Sequence, residues 1–159
     1  MKALALIFSL LLLGGCAGGL SIDRQHPSAN HDSRVQWVVV HYTSTDVQHS
    51  LELLTRGGVS SHYLIGEAPA TIYQLVDENR RAWHAGDSQW RGRTWLNAST
   101  IGIELVNQGY ADTPAGRVWQ PYSEAQIDAL ILLLKDIVQR HHLPIDSIIG
   151  HSDIAPQRK

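Results

Sequence analysis

Apolar positions along this chain fall into two periods, and the change from one to the other marks out its elements. Val35-Gln36-Trp37-Val38-Val39-Val40 is β-branched, and its later half is apolar at consecutive positions. A strand covered on both faces has that pattern. Residues 100–106 and Ile148-Ile149 repeat it, while 60–65 and 71–76 read as paired strands joined through 66–70. Residues 46–56, with Leu51, Leu53 and Leu54, read as a short helix that runs into Gly57-Gly58, a helix stop. The strongest helix opens at Ser123-Glu124-Ala125-Gln126, which predicts a capping box with Gln126 reaching back to the cap. Ile127, Leu130, Ile131, Leu134, Ile137 and Val138 form its apolar stripe, and Leu143-Pro144 ends it. Between strands, 86–97 is a long Trp-rich connection, and connections of that length tend to be functional. Strands and helices mixed in this order predict an α/β domain, a central mixed β-sheet flanked by helices.

Upstream of Val35 the pattern is different. Lys2 precedes an apolar run over 3–13, broken only by Ser9. It is too short for a stable membrane anchor and fits the core of a signal peptide over 1–15. Leu13-Gly14-Gly15-Cys16 resembles the bacterial lipobox, in which the chain is cut before a cysteine that is then lipidated. Cys16 is the only cysteine, so a disulfide within the chain is impossible. An ordinary signal peptide with an incidental cysteine is the alternative. Residues 16–34 are polar and aperiodic, the composition of a flexible tether. The folded domain is expected over 35–159. A length of 159 residues supports one domain with a proper core. A formal charge of −2 leaves no electrostatic footprint for nucleic acid.

Candidate chemistry lies at the strand ends. His41 closes the run Val38-Val39-Val40, and His151 follows Ile148-Ile149-Gly150. Two imidazoles leaving two strands can converge, and neutral imidazole is a common zinc ligand. Glu104 stands between Ile103 and Leu105. If it faces a cleft, desolvation raises its pKa toward that of a general base; if it faces solvent, it does nothing. From the pattern alone, a strand-end histidine bonded to a backbone carbonyl reads His41 equally well. Trp83, Trp90 and Trp95 crowd one loop region, as either sugar-stacking platforms or loop packing.

Several blocks together resemble a known family. Val39-Val40-His41-Tyr42-Thr43, Val59-Ser60-Ser61-His62-Tyr63-Leu64-Ile65, Arg81-Ala82-Trp83-His84-Ala85-Gly86, Ser99-Thr100-Ile101-Gly102-Ile103-Glu104-Leu105 and the run from Gly150 to Lys159 are similar to the zinc N-acetylmuramoyl-L-alanine amidases of the AmpD/AmiD type. The resemblance covers 35–159 and implies a fold shared with peptidoglycan recognition proteins. It implies cleavage of the amide between N-acetylmuramic acid and L-alanine, with peptidoglycan or its muropeptide fragments as partner. It makes His41 and His151 zinc ligands, Glu104 the catalytic glutamate and Lys159 a lysine assisting at the oxyanion. Trp83 and His84 would line the substrate groove. The family's third ligand is an aspartate two residues beyond the lysine matched by Lys159, so the domain is expected to continue past this sequence. Asp153 is a poor substitute, being too near His151 in the chain. Lipid on Cys16, with Ala17 after it, implies an outer-membrane lipoprotein facing the periplasm of a Gram-negative bacterium. The chain is expected to act as a monomer without nucleic acid. The competing reading is a non-catalytic peptidoglycan-binding module on the same fold.

Overall fold

A computed structural model describes residues 21–158. The expected signal peptide, Cys16 and Lys159 lie outside the described residues. The chain divides into two compact units at residues 31 and 32. In the first, 21–31 is exposed and includes local bonds such as Gln25 N–H to the Asp23 carboxylate.

The second unit is built on a five-stranded sheet. Its strands are β1 (Trp37–Tyr42), β2 (Tyr63–Ile65), β3 (Ile72–Gln74), β6 (Thr100–Leu105) and β9 (Ile148–Gly150), in the order β3-β2-β6-β1-β9. β1 runs parallel to β6 and β9, β2 parallel to β6, and only β3 is antiparallel, so the sheet is mixed as expected. β4 (Gln89–Trp90) pairs with β5 (Arg93–Thr94), and β7 (Tyr110–Thr113) with β8 (Gly116–Trp119), as two separate hairpins. The long Trp-rich connection is therefore folded: the β4–β5 hairpin leads into a 3-10 turn at Leu96–Ala98.

Both faces of the sheet are covered, which explains the unbroken apolar runs. Val38, Ile101, Ile103 and Leu105 pack against Leu133 and Ile137 of α2 (Glu124–His141). On the opposite face Val39 and Ile149 pack with Leu96 and with Ile154 of α3 (His151–Ile154). Leu64 there meets Leu54 of α1 (Val47–Arg56). α1 begins at Asp46, whose carboxylate accepts the His49 N–H, and ends at Gly57, whose N–H returns to the Leu53 carbonyl.

Two details of the sequence reading change. The Ser123 hydroxyl does cap α2, accepting the Gln126 N–H at 3.2 Å. The Gln126 side chain does not reach back; it is buried and donates to the carbonyls of Ile65 and Val106. The helix is consequently rotated relative to the expected stripe: Leu133 is buried and Ile131 is 42% exposed. A run of Ile131-Leu132-Leu133-Leu134 is apolar all round and fixes no phase by itself. The second change is at 60–65, where only Tyr63–Ile65 joins the ladder. The Ser61 hydroxyl and His62 N–H instead converge on the Gly102 carbonyl.

Candidate active site

β1 and β6 are paired so that His41 lies beside Glu104. Neighbouring residues in parallel register project to the same face, and the face is the one opposite α2. Glu104 Oε1 is 3.9 Å from His41 Nδ1, and its side chain is 14% exposed. The cleft orientation of Glu104 is thus the correct one of the alternatives. His151 reaches the same point from the first position of α3, directly after β9. Its Nδ1 is 2.7 Å from His41 Nδ1. Asp153 serves that turn: its carboxylate accepts the Gly150 N–H at 2.7 Å, fixing the backbone from which His151 departs.

His84 lies behind His41. His41 Nε2 and His84 Nδ1 are 3.0 Å apart, and His84 Nε2 is 3.1 Å from the Thr100 hydroxyl. Burial pushes the His84 pKa down to about 3, with the nearby His62, His151 and Arg34 adding in the same direction. It is neutral at any physiological pH. Both ring nitrogens of His84 are engaged within the protein, so its place is against His41, with only a small edge on the groove expected for it. Trp83, by contrast, is 56% exposed on the groove wall. Asn97 holds the pair in place, its side-chain oxygen accepting the backbone N–H of both His84 and Ala85. His62 is a third buried ring in the row, accepting the Gly102 N–H at Nδ1 and donating from Nε2 to the Arg80 carbonyl. Burial lowers its pKa as well, against the raising effect of the Arg80 bond.

The histidine pair lies between two lobes of a groove. One, a cavity of about 320 Å³, is walled by Tyr42, Trp119, Tyr122 and Ser152. The other, about 390 Å³, is walled by Val59, Ser60, Trp83, Glu104 and Arg158. His41 and His151 border both. Arg158 closes the second lobe by donating to the carbonyls of Ala85 and Asp87. Gly86 between them has φ +57°, and a Cβ there would meet the Arg158 guanidinium at 3.0 Å. Among the described residues no group of three or more His, Cys, Asp or Glu side chains is set to hold a metal ion.

Sequence reasoning found His41, His151, Glu104 and Trp83, and the fold brings them to one groove. It missed Thr100, Asn97 and Trp119. The one available signal was Gly102, a glycine inside an apolar strand, which marks a close approach. A Cβ at Gly102 would lie 2.4 Å from the His84 ring.

A mixed sheet with histidines at two adjacent strand ends, a carboxylate in register and a two-lobed groove defines a class of proteins. The N-acetylmuramoyl-L-alanine amidase family model matches residues 31–159, and the chain belongs to that family. It is 43% identical over 168 residues to the N-acetylmuramoyl-L-alanine amidase AmiD of Escherichia coli K12, covering 97% of this chain and 61% of the relative. It is 30% identical to the 1,6-anhydro-N-acetylmuramyl-L-alanine amidase AmpD of Enterobacter cloacae, covering 89% of this chain and 84% of that one. Among solved structures it matches the E. coli AmiD complex with anhydro-N-acetylmuramic acid-L-Ala-D-gamma-Glu-L-Lys at a TM-score of 0.82 and 43% identity. That match covers 89% of this chain and 58% of the other. The chain thus spans about three fifths of the length of AmiD. The fold is that of the AmpD-type amidases, as the resemblance implied.

Proposed function

We propose that this chain hydrolyses the amide between the lactyl group of N-acetylmuramic acid and L-alanine in peptidoglycan or its muropeptide fragments, in cell-wall turnover. The observation that carries the reading is Glu104, register-paired with His41 on the groove face and 3.9 Å from its Nδ1. The relative at 43% identity is named for this activity, and its complex holds a muropeptide.

The donor set suits zinc. Two imidazoles turn their Nδ1 atoms toward one another, beside a carboxylate, at a groove floor. His41 and His151 are the ligands this chain supplies, and catalytic zinc normally takes three protein ligands with water in the open position. Bound zinc supplies Lewis acidity, polarising a carbonyl and acidifying water. Glu104 accepts a proton from the attacking water as the new C–O bond forms at the lactyl carbonyl. Lys159 donates a hydrogen bond to the carbonyl oxygen as it gains negative charge. Glu104 then passes the proton to the alanine nitrogen as the C–N bond breaks, leaving a lactyl carboxylic acid and a free amine. Trp83 offers an apolar wall to the bound substrate.

Glu104→Gln tests this with an anhydromuropeptide followed by chromatography. Zinc content and substrate affinity should hold while kcat falls about 10²–10⁴-fold, the usual contribution of general acid–base catalysis. EDTA should abolish turnover of the full-length protein and zinc should restore it. An unchanged kcat in Glu104→Gln removes Glu104 from the chemistry, and muropeptide bound but never cleaved by the zinc-loaded chain favours the binding module.

The reading extends to location. Lipid on Cys16 anchors the chain to the outer membrane, facing the periplasm. Cys16→Ser should move the protein from the membrane fraction to the soluble one. Equal retention of both forms after a high-salt wash contradicts it.

A further inference from the structure

The hydrogen bonds behind His41 have a direction, and the direction can be worked out from the far end. The Leu96 carbonyl can only accept. Thr100 Oγ lies 2.6 Å from it, so the single hydroxyl proton of Thr100 is committed to Leu96. Thr100 Oγ can then only accept from His84 Nε2, 3.1 Å away. A neutral imidazole carries one N–H. With that proton on Nε2, His84 Nδ1 is an acceptor, and His41 Nε2, at 3.0 Å, must be the donor. The proton of neutral His41 is thereby placed on Nε2, and its Nδ1 lone pair is turned toward His151 Nδ1 and the groove.

We propose that Thr100 and His84 are positioning residues that lock His41 in the Nε2–H tautomer and so aim its Nδ1 lone pair at the metal position. The orientation itself stands on the hydrogen bonds. Its consequence for metal affinity rests on the zinc reading above. A metal-bound histidine is commonly held by a carboxylate, carbonyl or water at its other nitrogen. Here the partner is a second imidazole, which could in principle face either way, and the Thr100–Leu96 bond removes the ambiguity. The surroundings support the assignment. Thr100 is fully buried and His84 nearly so, which keeps competing water away from these bonds. The Asn97 side chain pins the His84 backbone, and the His84 ring is pressed against Gly102 with no space for a Cβ. None of this is needed for the sheet to form, since Thr100 and Gly102 keep their ladder positions whichever nitrogen of His84 bears the proton.

Nitrogen-15 NMR of the histidine rings in the metal-free chain tests the orientation without any enzymatic readout. His41 and His84 should both show the Nε2–H pattern, with a scalar coupling across the His41 Nε2–H to His84 Nδ1 bond. Wild-type His41 found as the Nδ1–H tautomer overturns the proposal. Thr100→Val keeps the shape and deletes the hydroxyl, so His84 should flip its proton to Nδ1 and drive His41 toward Nδ1–H. Thr100→Ser should restore the wild-type pattern. A Thr100→Val protein that keeps His41 wholly as Nε2–H also overturns it. The wild-type spectrum decides the orientation even where the valine variant fails to fold. Zinc affinity by chelator competition should fall about 10–100-fold in Thr100→Val and recover in Thr100→Ser, the range typical of lost outer-shell partners. Equal affinity in all three contradicts the consequence for metal binding. A full-length wild-type protein that takes up no zinc fails the zinc reading, and the NMR result still stands or falls by itself.

Discussion

Gly102 shows how a residue with no side chain can govern a site. It lies between Ile101 and Ile103 in β6, its carbonyl accepts from Ser61 and His62, and its Cα face carries the His84 ring. Gly102→Ala would place a methyl 2.4 Å from His84 Cγ, closer than any tolerated contact. Because the opposing ring is held through Asn97 and Thr100, it cannot yield cheaply. Overpacking of this kind costs about 1–3 kcal/mol, and the displaced ring would carry His41 with it. Denaturant unfolding should show the destabilisation, and turnover should fall further than stability alone explains. An alanine variant with wild-type stability and turnover would mean that the His84 ring is freer than its bonds indicate. Ile101-Gly102-Ile103 was visible in the sequence as an odd glycine in a strand, but not what approached it. The approaching residue comes from a different segment, and no local pattern encodes that.

At the scale of elements, α2 is the instructive case. Its existence, its Ser123 cap and its stop were all legible, since capping and periodicity are local properties. Its rotation was not. Gln126, expected to close a capping box, donates instead to Ile65 and Val106 carbonyls where β2 and β6 end. Satisfying backbone acceptors inside the fold outweighs a reciprocal cap that water could replace. Gln126→Leu should keep the helix but leave the Val106 carbonyl without that donor, at a cost of about 1–3 kcal/mol. Chemical denaturation measures it, and a neutral result would show that the amide contributes little to docking α2. The same reasoning covers 61–62, where hydrogen bonds to the Gly102 carbonyl take the place of the first part of the strand expected over 60–65.

Across the whole folded unit, one ionic cluster ties distant segments together. Glu78 accepts hydrogen bonds from Tyr63 on β2 and from Arg140 and His141 at the end of α2. Arg34 donates to its backbone carbonyl. Burial would raise the Glu78 pKa, but the bonds from Arg140, His141 and Tyr63 outweigh it and hold the carboxyl at about 2. A carboxylate whose folded pKa lies below its unfolded value stabilises the protein above the unfolded pKa. That contribution is therefore present at neutral pH and lost as pH falls from about 4.5 toward 2. Glu78→Gln should destabilise the neutral-pH protein, on the order of 1–3 kcal/mol for hydrogen bonds to a charged group. Its stability should also change less with acid over that window than wild type. Thermal unfolding across pH checks both, and parallel curves for the two proteins would refute the assignment. The cluster was invisible in the sequence, because 62 residues separate Arg140 from Glu78.

What the amino-acid sequence determined by itself was the set of parts. Apolar runs gave β1, β6 and β9, because a strand buried on both faces needs consecutive apolar residues. Spacing and capping gave α1 and α2. The blocks around His41, Glu104 and His151 were enough to indicate the family, which the match over 31–159 bears out. Only the tertiary structure decided how those parts face one another. Parallel pairing of β1 with β6 turned Glu104 to the groove, and the placement of β9 beside β1 brought His151 to within 2.7 Å of His41. The long-range bonds of His84, Thr100, Asn97 and Arg158 then fixed their rings and loops. The reason is physical: periodicity and capping act within a few residues, whereas register, burial and hydrogen-bond direction depend on segments the chain joins only by folding.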